Sequence, residues 1–222
     1  MISAILFDFD GIIVDSERLH WAAFNKVLGP LGKPISWPDY VETYIGFDDR
    51  DAFRTVFPMS GKNELAALIE KKAAAFQDLL ESDGAAALPG AVELIKSLSG
   101  NIPLAICSGA LHEDILPILG KLGIETAFDT IVTADDTHIS KPDPAPYSKA
   151  WNRLAEIFQG LETISSGLAI EDTPAGIASA KGAGLKVLAV TNSYDAEFLT
   201  QADAVVDTLE GLTLDKLTRL LI

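Results

Sequence analysis

Asp8-Phe9-Asp10-Gly11-Ile12-Ile13-Val14-Asp15-Ser16 is the stretch whose reading decides the fold. It follows the apolar run 2–7, Ile-Ser-Ala-Ile-Leu-Phe. An apolar run that ends abruptly in acids and a glycine is how a buried parallel strand reads at its carboxyl end. Runs of the same kind recur at 104–107, 131–133, 168–170, 187–190 and 204–206. Between them, apolar residues return at helical spacing over 91–98, 111–119, 144–158, 174–183 and 211–221. Strands alternating with helices predict an α/β fold, a three-layer Rossmann-like core with a parallel sheet covered on both faces.

One stretch breaks the alternation. From Ser16 to about Ala87 no strand is expected, and three helical patterns are. Ser16 suits the N-cap of a helix through Leu19, Ala23 and Val27 that Gly29-Pro30 stops. A second pattern runs over 48–57 with acids in its first turn, and a third over 62–81 with Leu65, Ile69, Lys72 and Phe76 on one stripe. Residues 16–87 therefore read as an all-helical insert, and residues 1–15 and 88–222 as the core.

Composition narrows the function. The chain of 222 residues is 48% hydrophobic and 22% charged, an ordinary globular balance. A single cysteine, Cys107, excludes an intramolecular disulfide framework and a CxxC zinc site. There is no apolar run of about 18 residues to cross a membrane, and the N-terminal stretch lacks the basic region of a signal peptide, so a cytoplasmic protein is expected. The net charge of −15 repels polyphosphate backbones and argues against nucleic-acid binding. The insert holds 8 bases and 11 acids, so the acidity is concentrated in the core. A protein this acidic that handles a small anion must gather positive charge locally, from a bound cation and a well-placed lysine.

Four constellations sit at the carboxyl ends of the expected strands, where doubly wound sheets bind ligands. Asp8 and Asp10, two apart, project into one crevice. Two carboxylates about 4 Å apart repel by roughly 4 kcal/mol at an effective dielectric of about 20. A divalent cation or a retained proton relieves that repulsion, and phosphoryl transfer uses both. By itself Asp-x-Asp-Gly also suits a polar strand end and turn. Ser108 with the backbone of Gly109 suits a phosphate cradle, or else a plain helix cap. In Ser140-Lys141-Pro142-Asp143-Pro144, Asp143 fits an N-cap and Pro144 the first helical position, which fixes Lys141 just ahead of a helix. Glu171-Asp172-Thr173-Pro174 supplies further acids, and Asp172 is a candidate oxygen ligand for Mg²⁺. Acids, a hydroxyl, a lysine and acids again, each at a strand end, form a stronger pattern than any one of them.

Asp8-Phe9-Asp10-Gly11, Ser108, Lys141 and Glu171-Asp172 resemble the four ordered motifs of the haloacid dehalogenase superfamily, and their flanks look like its phosphatase and β-phosphoglucomutase-like subfamily. That subfamily carries a helical cap after the first strand, where the break falls. The resemblance implies that Asp8 attacks phosphorus to form an aspartyl-phosphate, and that Asp10 protonates the leaving alcohol and then activates water. It implies Mg²⁺ held by Asp8, the Asp10 carbonyl and Asp172, with Glu171 binding it directly or supporting a ligand. Ser108 and Lys141 would hold the phosphoryl oxygens. His20 and Lys72 look like cap residues that meet the substrate, although a lysine on an apolar stripe more often lays its stem on the core and sends its ammonium to water. Arg50 resembles a basic residue of a specificity loop. Trp21, Trp37 and Trp151 read as packing residues.

The expected function is a Mg²⁺-dependent phosphohydrolase acting on a small phosphorylated metabolite, a small-molecule phosphate ester. A β-phosphoglucomutase-like mutase is the alternative, weakened because Gly109, Ala110 and Leu111 stand where the mutases have polar residues. A dehalogenase needs no leaving-group acid at Asp10, and a phosphoacceptor signalling domain lacks the paired acids and the insert. The sequence is silent on oligomeric state.

Overall fold

A computed structural model describes residues 2–161 and 163–221. The core elements before the insert are β1 (Ala4–Phe7) and β2 (Val14–Asp15). The insert holds α1 (Glu17–Leu28), α2 (Trp37–Thr43), α3 (Asp49–Val56) and α4 (Lys62–Asp83), and β3 (Ala86–Ala87) leads back out of it. The core then continues with α5 (Ala91–Leu98), β4 (Leu104–Cys107), α6 (His112–Leu122), β5 (Thr130–Val132) and α7 (Ala145–Ile157). It closes with β6 (Gly167–Glu171), α8 (Pro174–Ala183), β7 (Lys186–Val190), β8 (Ala204–Val206) and α9 (Leu214–Leu220).

The sheet is parallel throughout, in the order β5-β4-β1-β6-β7-β8. Its three layers follow from the two-residue alternation of β1. Ile5 and Phe7 enter a core with Leu94, Ile95 and Leu98 of α5, Ile115 and Leu119 of α6 and Leu217 of α9. Ala4 and Leu6 enter a second core with Tyr147, Trp151 and Leu154 of α7 and Ile177 of α8. Each fully buried aliphatic side chain contributes roughly 1.5–3 kcal/mol, so both faces must be covered for a strand this apolar to be stable. A third core, with Phe24, Leu28, Tyr40, Phe53 and Leu65, belongs to the cap.

Several local expectations need correction. The segment 16–87 is not free of strand: Ala86 and Ala87 pair antiparallel with Asp15 and Val14, which joins the two chain crossings between core and insert into a short ribbon. The helix α2 has no counterpart in the sequence reading, although Ser36 caps it by accepting from the Asp39 N–H and Pro38 lies in its first turn. Ser16 stands at the start of α1 but makes no capping bond, because its hydroxyl donates to Asp10 instead. The helix after Lys141 begins at Ala145, one residue later than expected, with Asp143 Oδ1 accepting from the Ala145 N–H at 2.8 Å. Among the described residues no helix is long and apolar enough to cross a membrane.

Candidate active site

All the acids and cations singled out in the core lie along the carboxyl edge of the sheet. Asp8 continues β1, with its N–H donating to the Ile170 carbonyl at 2.9 Å and its Oδ1 accepting from the Phe9 N–H at 2.8 Å. Glu171 ends β6 and Asp172 follows it, both fully buried. One carboxylate oxygen from each of Asp8, Glu171 and Asp172 lies within 4.8 Å of the others. Lys141 Nζ bridges this group, 3.0 Å from Asp8 Oδ1 and 2.6 Å from Glu171 Oε1.

The donors in this cluster are unequally committed. Glu171 Oε1 accepts from Lys141 and from the Tyr147 hydroxyl at 2.8 Å, and Oε2 from the Asp172 N–H and the Thr173 hydroxyl at 3.2 and 3.3 Å. Asp172 Oδ2 accepts from the Ser193 hydroxyl. Asp172 Oδ1 is the only buried side-chain polar atom without a hydrogen bond among the described residues. A buried carboxylate oxygen left unpaired costs several kcal/mol, and a hard divalent cation with oxygen ligands removes that cost. The chemistry of the group thus fits a divalent cation such as Mg²⁺, which Asp8 and Asp172 would hold while Glu171 is occupied with Lys141. Gly11, at φ +76°, is what allows the close approach: a Cβ there would lie 1.9 Å from Asp172 Oδ2.

The Asp10 carboxylate points away from the cluster, toward the cap. Its Oδ1 accepts from Ser16 and lies 3.3 Å from His20 Nε2, and its Oδ2 is 3.5 Å from the Ser108 hydroxyl. Ser108 is not a helix cap, since α6 begins at His112; its oxygen accepts from the Ala110 N–H at 3.0 Å, turning the loop around the crevice. Lys72, 1% exposed, does not reach water. Its ammonium is 2.8 Å from His20 Nδ1 and 2.8 Å from Asp49 Oδ1. The His20 ring stacks on Phe76 at 4.2 Å, so Asp10, His20, Lys72 and Asp49 form one chain from the core into the cap. Asp8, Asp10, His20, Lys72, Gly109 and Lys141 all line one cavity of about 50 Å³ between cap and core. Arg50 stands outside it, its Nε on Asp48 at 2.8 Å and its Nη1 on the Thr137 carbonyl at 3.0 Å, where it ties cap to core.

Protonation follows from these surroundings. Burial and the Glu171 charge push the Asp8 carboxyl well above its ordinary value, against the pull of Lys141. Burial, Asp8 and Glu171 do the same to Asp172. Asp10 runs the other way: burial would raise it, but His20 and the Ser16 hydroxyl lower it overall. Burial would lower the Lys141 ammonium, yet Asp8 and Glu171 hold it above the ordinary lysine range. From protein groups alone the proton therefore favours Asp8 over Asp10, the reverse of the expected pairing. A cation at Asp8 and Asp172 opposes this by favouring both as carboxylates.

The sequence reading missed several partners. Tyr147, Asp49 and the Tyr40–Glu17 pair carry no motif of their own. Ser193 and Asn192 did carry a signal, because they follow the recognised run 187–190 at its carboxyl end, as the other site residues follow theirs.

Comparison with known proteins agrees with the fold. Residues 5–190 match the haloacid dehalogenase-like hydrolase family, and the chain belongs to it. It is 30% identical over 213 residues to validoxylamine A 7'-phosphate phosphatase of Streptomyces hygroscopicus subsp. limoneus, covering 94% of this chain and 95% of that protein. It is 28% identical to a phosphorylated carbohydrates phosphatase of Thermotoga maritima, covering 92% and 93% respectively. The crystal structure of CbbY from Rhodobacter sphaeroides in complex with phosphate superposes with a TM-score of 0.86 at 26% identity, covering 98% of this chain and all of that one.

Proposed function

We infer that the protein is a Mg²⁺-dependent phosphohydrolase that cleaves a small phosphate monoester through an aspartyl-phosphate on Asp8. The observation that carries this reading is the unpaired, buried Asp172 Oδ1 beside Asp8, with Lys141 Nζ 3.0 Å from the same Asp8 carboxylate. Similarity to a validoxylamine A 7'-phosphate phosphatase and to a phosphorylated carbohydrates phosphatase supports the reaction class.

When bound, Mg²⁺ would supply charge against the phosphoryl oxygens and keep Asp8 ionised for attack. The chain's own residues account for the rest. Asp8 lines the cavity as the nucleophile, with Oδ1 fixed by the Phe9 N–H and Lys141. Lys141, 3.0 Å from Asp8 Oδ1, and Ser108, 3.5 Å from Asp10 Oδ2, would neutralise and hydrogen-bond the phosphoryl group. Asp10, held by Ser16 and His20 on the cap side, is placed to give a proton to the leaving oxygen and later to take one from water. A phosphoryl dianion beside it raises its proton affinity, the direction the acid role requires. The cap, tied down by Arg50 and by Gln77 donating to Asp114 at 2.6 Å, keeps bulk water from the intermediate. Arg50, committed to Asp48 and Thr137, is poorly placed to hold the second phosphate of a mutase substrate.

The test is phosphate release from a panel of monoesters with and without Mg²⁺, beside Asp8→Asn. Release that requires both Mg²⁺ and Asp8 supports the reading. Interconversion of sugar phosphates primed by a bisphosphate, without net release, replaces it with the mutase.

A further inference from the structure

We propose that the leaving-group side of the cavity selects a monoester whose alcohol portion is rich in hydrogen-bond donors, hydroxyl or ammonium, and carries no second anion. The proposal rests on the phosphohydrolase reading above and adds the substrate class.

Besides Asp8, Asp10 and Lys141, the charged groups lining the cavity are Glu17, Asp49 and Asp114, with Lys72 as the one further ammonium group. That ammonium is already balanced, 2.8 Å from Asp49 Oδ1, and its remaining neighbours are His20 and the faces of Phe24 and Phe76 at 5.1 and 5.2 Å. Glu17 accepts from the Tyr40 hydroxyl at 2.8 Å. Asp114 is 2% exposed; its Oδ1 accepts from Gln77, and its Oδ2 accepts from none of the described residues although the side chain lines the cavity. An acceptor left open on the cavity surface beside the leaving group is available to a donor on the substrate.

A neighbouring opening repeats the pattern. A wider opening of about 390 Å³ shares Asp49 and Gly109 with the inner cavity and is walled by Asp48, Glu70 and Asp135. Arg50 also borders it, but two of its nitrogens are engaged with Asp48. A second phosphate or a carboxylate would therefore meet an excess of carboxylates, with both nearby cations already paired. Hydroxyl or ammonium groups would meet acceptors.

Four esters sharing a six-carbon sugar skeleton and a phosphate at position 6 test this: glucose 6-phosphate, glucosamine 6-phosphate, 6-phosphogluconate and glucose 1,6-bisphosphate. The first two should exceed the anionic pair in kcat/KM by about tenfold or more, equivalent to about 1.4 kcal/mol. Preference for glucosamine 6-phosphate over glucose 6-phosphate assigns the recognition to ammonium, and parity assigns it to hydroxyl. Asp114→Asn should narrow the gap between neutral and anionic esters. Should that buried variant not fold, Asp49→Asn frees Lys72 and should raise use of the bisphosphate. Equal or better use of the anionic esters overturns the selectivity while leaving the phosphohydrolase intact. Absence of release from every ester overturns the phosphohydrolase instead. The ranking is then read from Kd values on Asp8→Asn, where tighter binding of the anionic pair again refutes the proposal.

Discussion

Replacing Tyr147 by phenylalanine removes one oxygen from the fully buried interior and leaves the ring in place. That oxygen donates to Glu171 Oε1 at 2.8 Å, and burial with the adjacent Glu171 charge holds the phenol well above its ordinary pKa, so it remains a donor at any working pH. Glu171 is completely buried and its other contacts, apart from Lys141, run from 3.2 to 3.5 Å. Loss of a hydrogen bond to a buried charge costs about 1.5–3 kcal/mol. For a chain of this length each kcal/mol lowers Tm by about 2–4 °C, so a fall of about 3–12 °C is expected. The effect should also reach the chemistry. Lys141 is shared between Glu171 Oε1 and Asp8 Oδ1, and a Glu171 deprived of Tyr147 draws the lysine away from Asp8. Displacement of a positioning group by about 1 Å costs up to about 10²-fold, so kcat should fall by roughly tenfold while KM changes little. Urea unfolding and steady-state phosphate release read the two effects, and a double-mutant cycle with Glu171→Gln reads their origin. Coupling of about 0.5–3 kcal/mol is expected for groups in direct contact. A stability loss below about 0.5 kcal/mol, or strict additivity with Glu171→Gln, would refute the claim that Tyr147 acts through Glu171.

Two further outcomes follow from the same geometry. Gly11→Ala places a methyl group where Asp172 Oδ2 lies and forces alanine to φ +76°, costing about 1–2 kcal/mol in backbone strain. Because it also displaces a metal-ligand candidate, the Mg²⁺ concentration giving half-maximal activity should rise by about tenfold or more, measured by Mg²⁺ titration. Asp136, which does not line the cavity, is held below the usual aspartate value: burial would raise it, but hydrogen bonds from Arg153 and the Thr133 N–H and the charges of Arg153 and Lys149 outweigh that. A lowered folded pKa means that the unfolded chain binds the proton more readily, so the stabilisation is present above the unfolded value and lost as pH falls through the folded one. Asp136→Asn should therefore be about 0.5–1 kcal/mol less stable near neutrality, discounted for solvent exposure, with the difference closing in denaturant titrations below about pH 3.9. A difference that stays constant across that range refutes the ionic origin.

The core was legible because its signals are local. A parallel strand buried on both faces must be continuously apolar, and it must change to polar residues where it meets the crevice. The runs at 104–107 and 187–190 therefore mark both a strand and the place of a site residue. The ribbon formed by Val14–Asp15 and Ala86–Ala87 has no such pattern: two-residue strands are defined by backbone pairing across 70 intervening positions, not by side chains. The cap side of the site was legible only as candidates. Periodicity places Lys72 on the apolar stripe of α4, where it does lie, yet its direction is set by His20, 52 residues earlier, and by Asp49 on a third helix. Ser16 illustrates the limit from the other side. Its identity suits an N-cap, and the nearby Asp10 carboxylate claims its hydroxyl instead.

The central claim is that Asp8 carries the phosphoryl group and that Asp10 removes it. The most direct measurement uses p-nitrophenyl phosphate, whose leaving group needs no acid, with Mg²⁺ and the Asp10→Ala variant in a rapid-mixing experiment followed by acid quench and peptide mass analysis. The account predicts a burst of about one nitrophenolate per active site, slow turnover thereafter, and a phosphoryl group on the peptide containing Asp8. Linear release without a burst, or a phosphoryl group on any other residue, would contradict it.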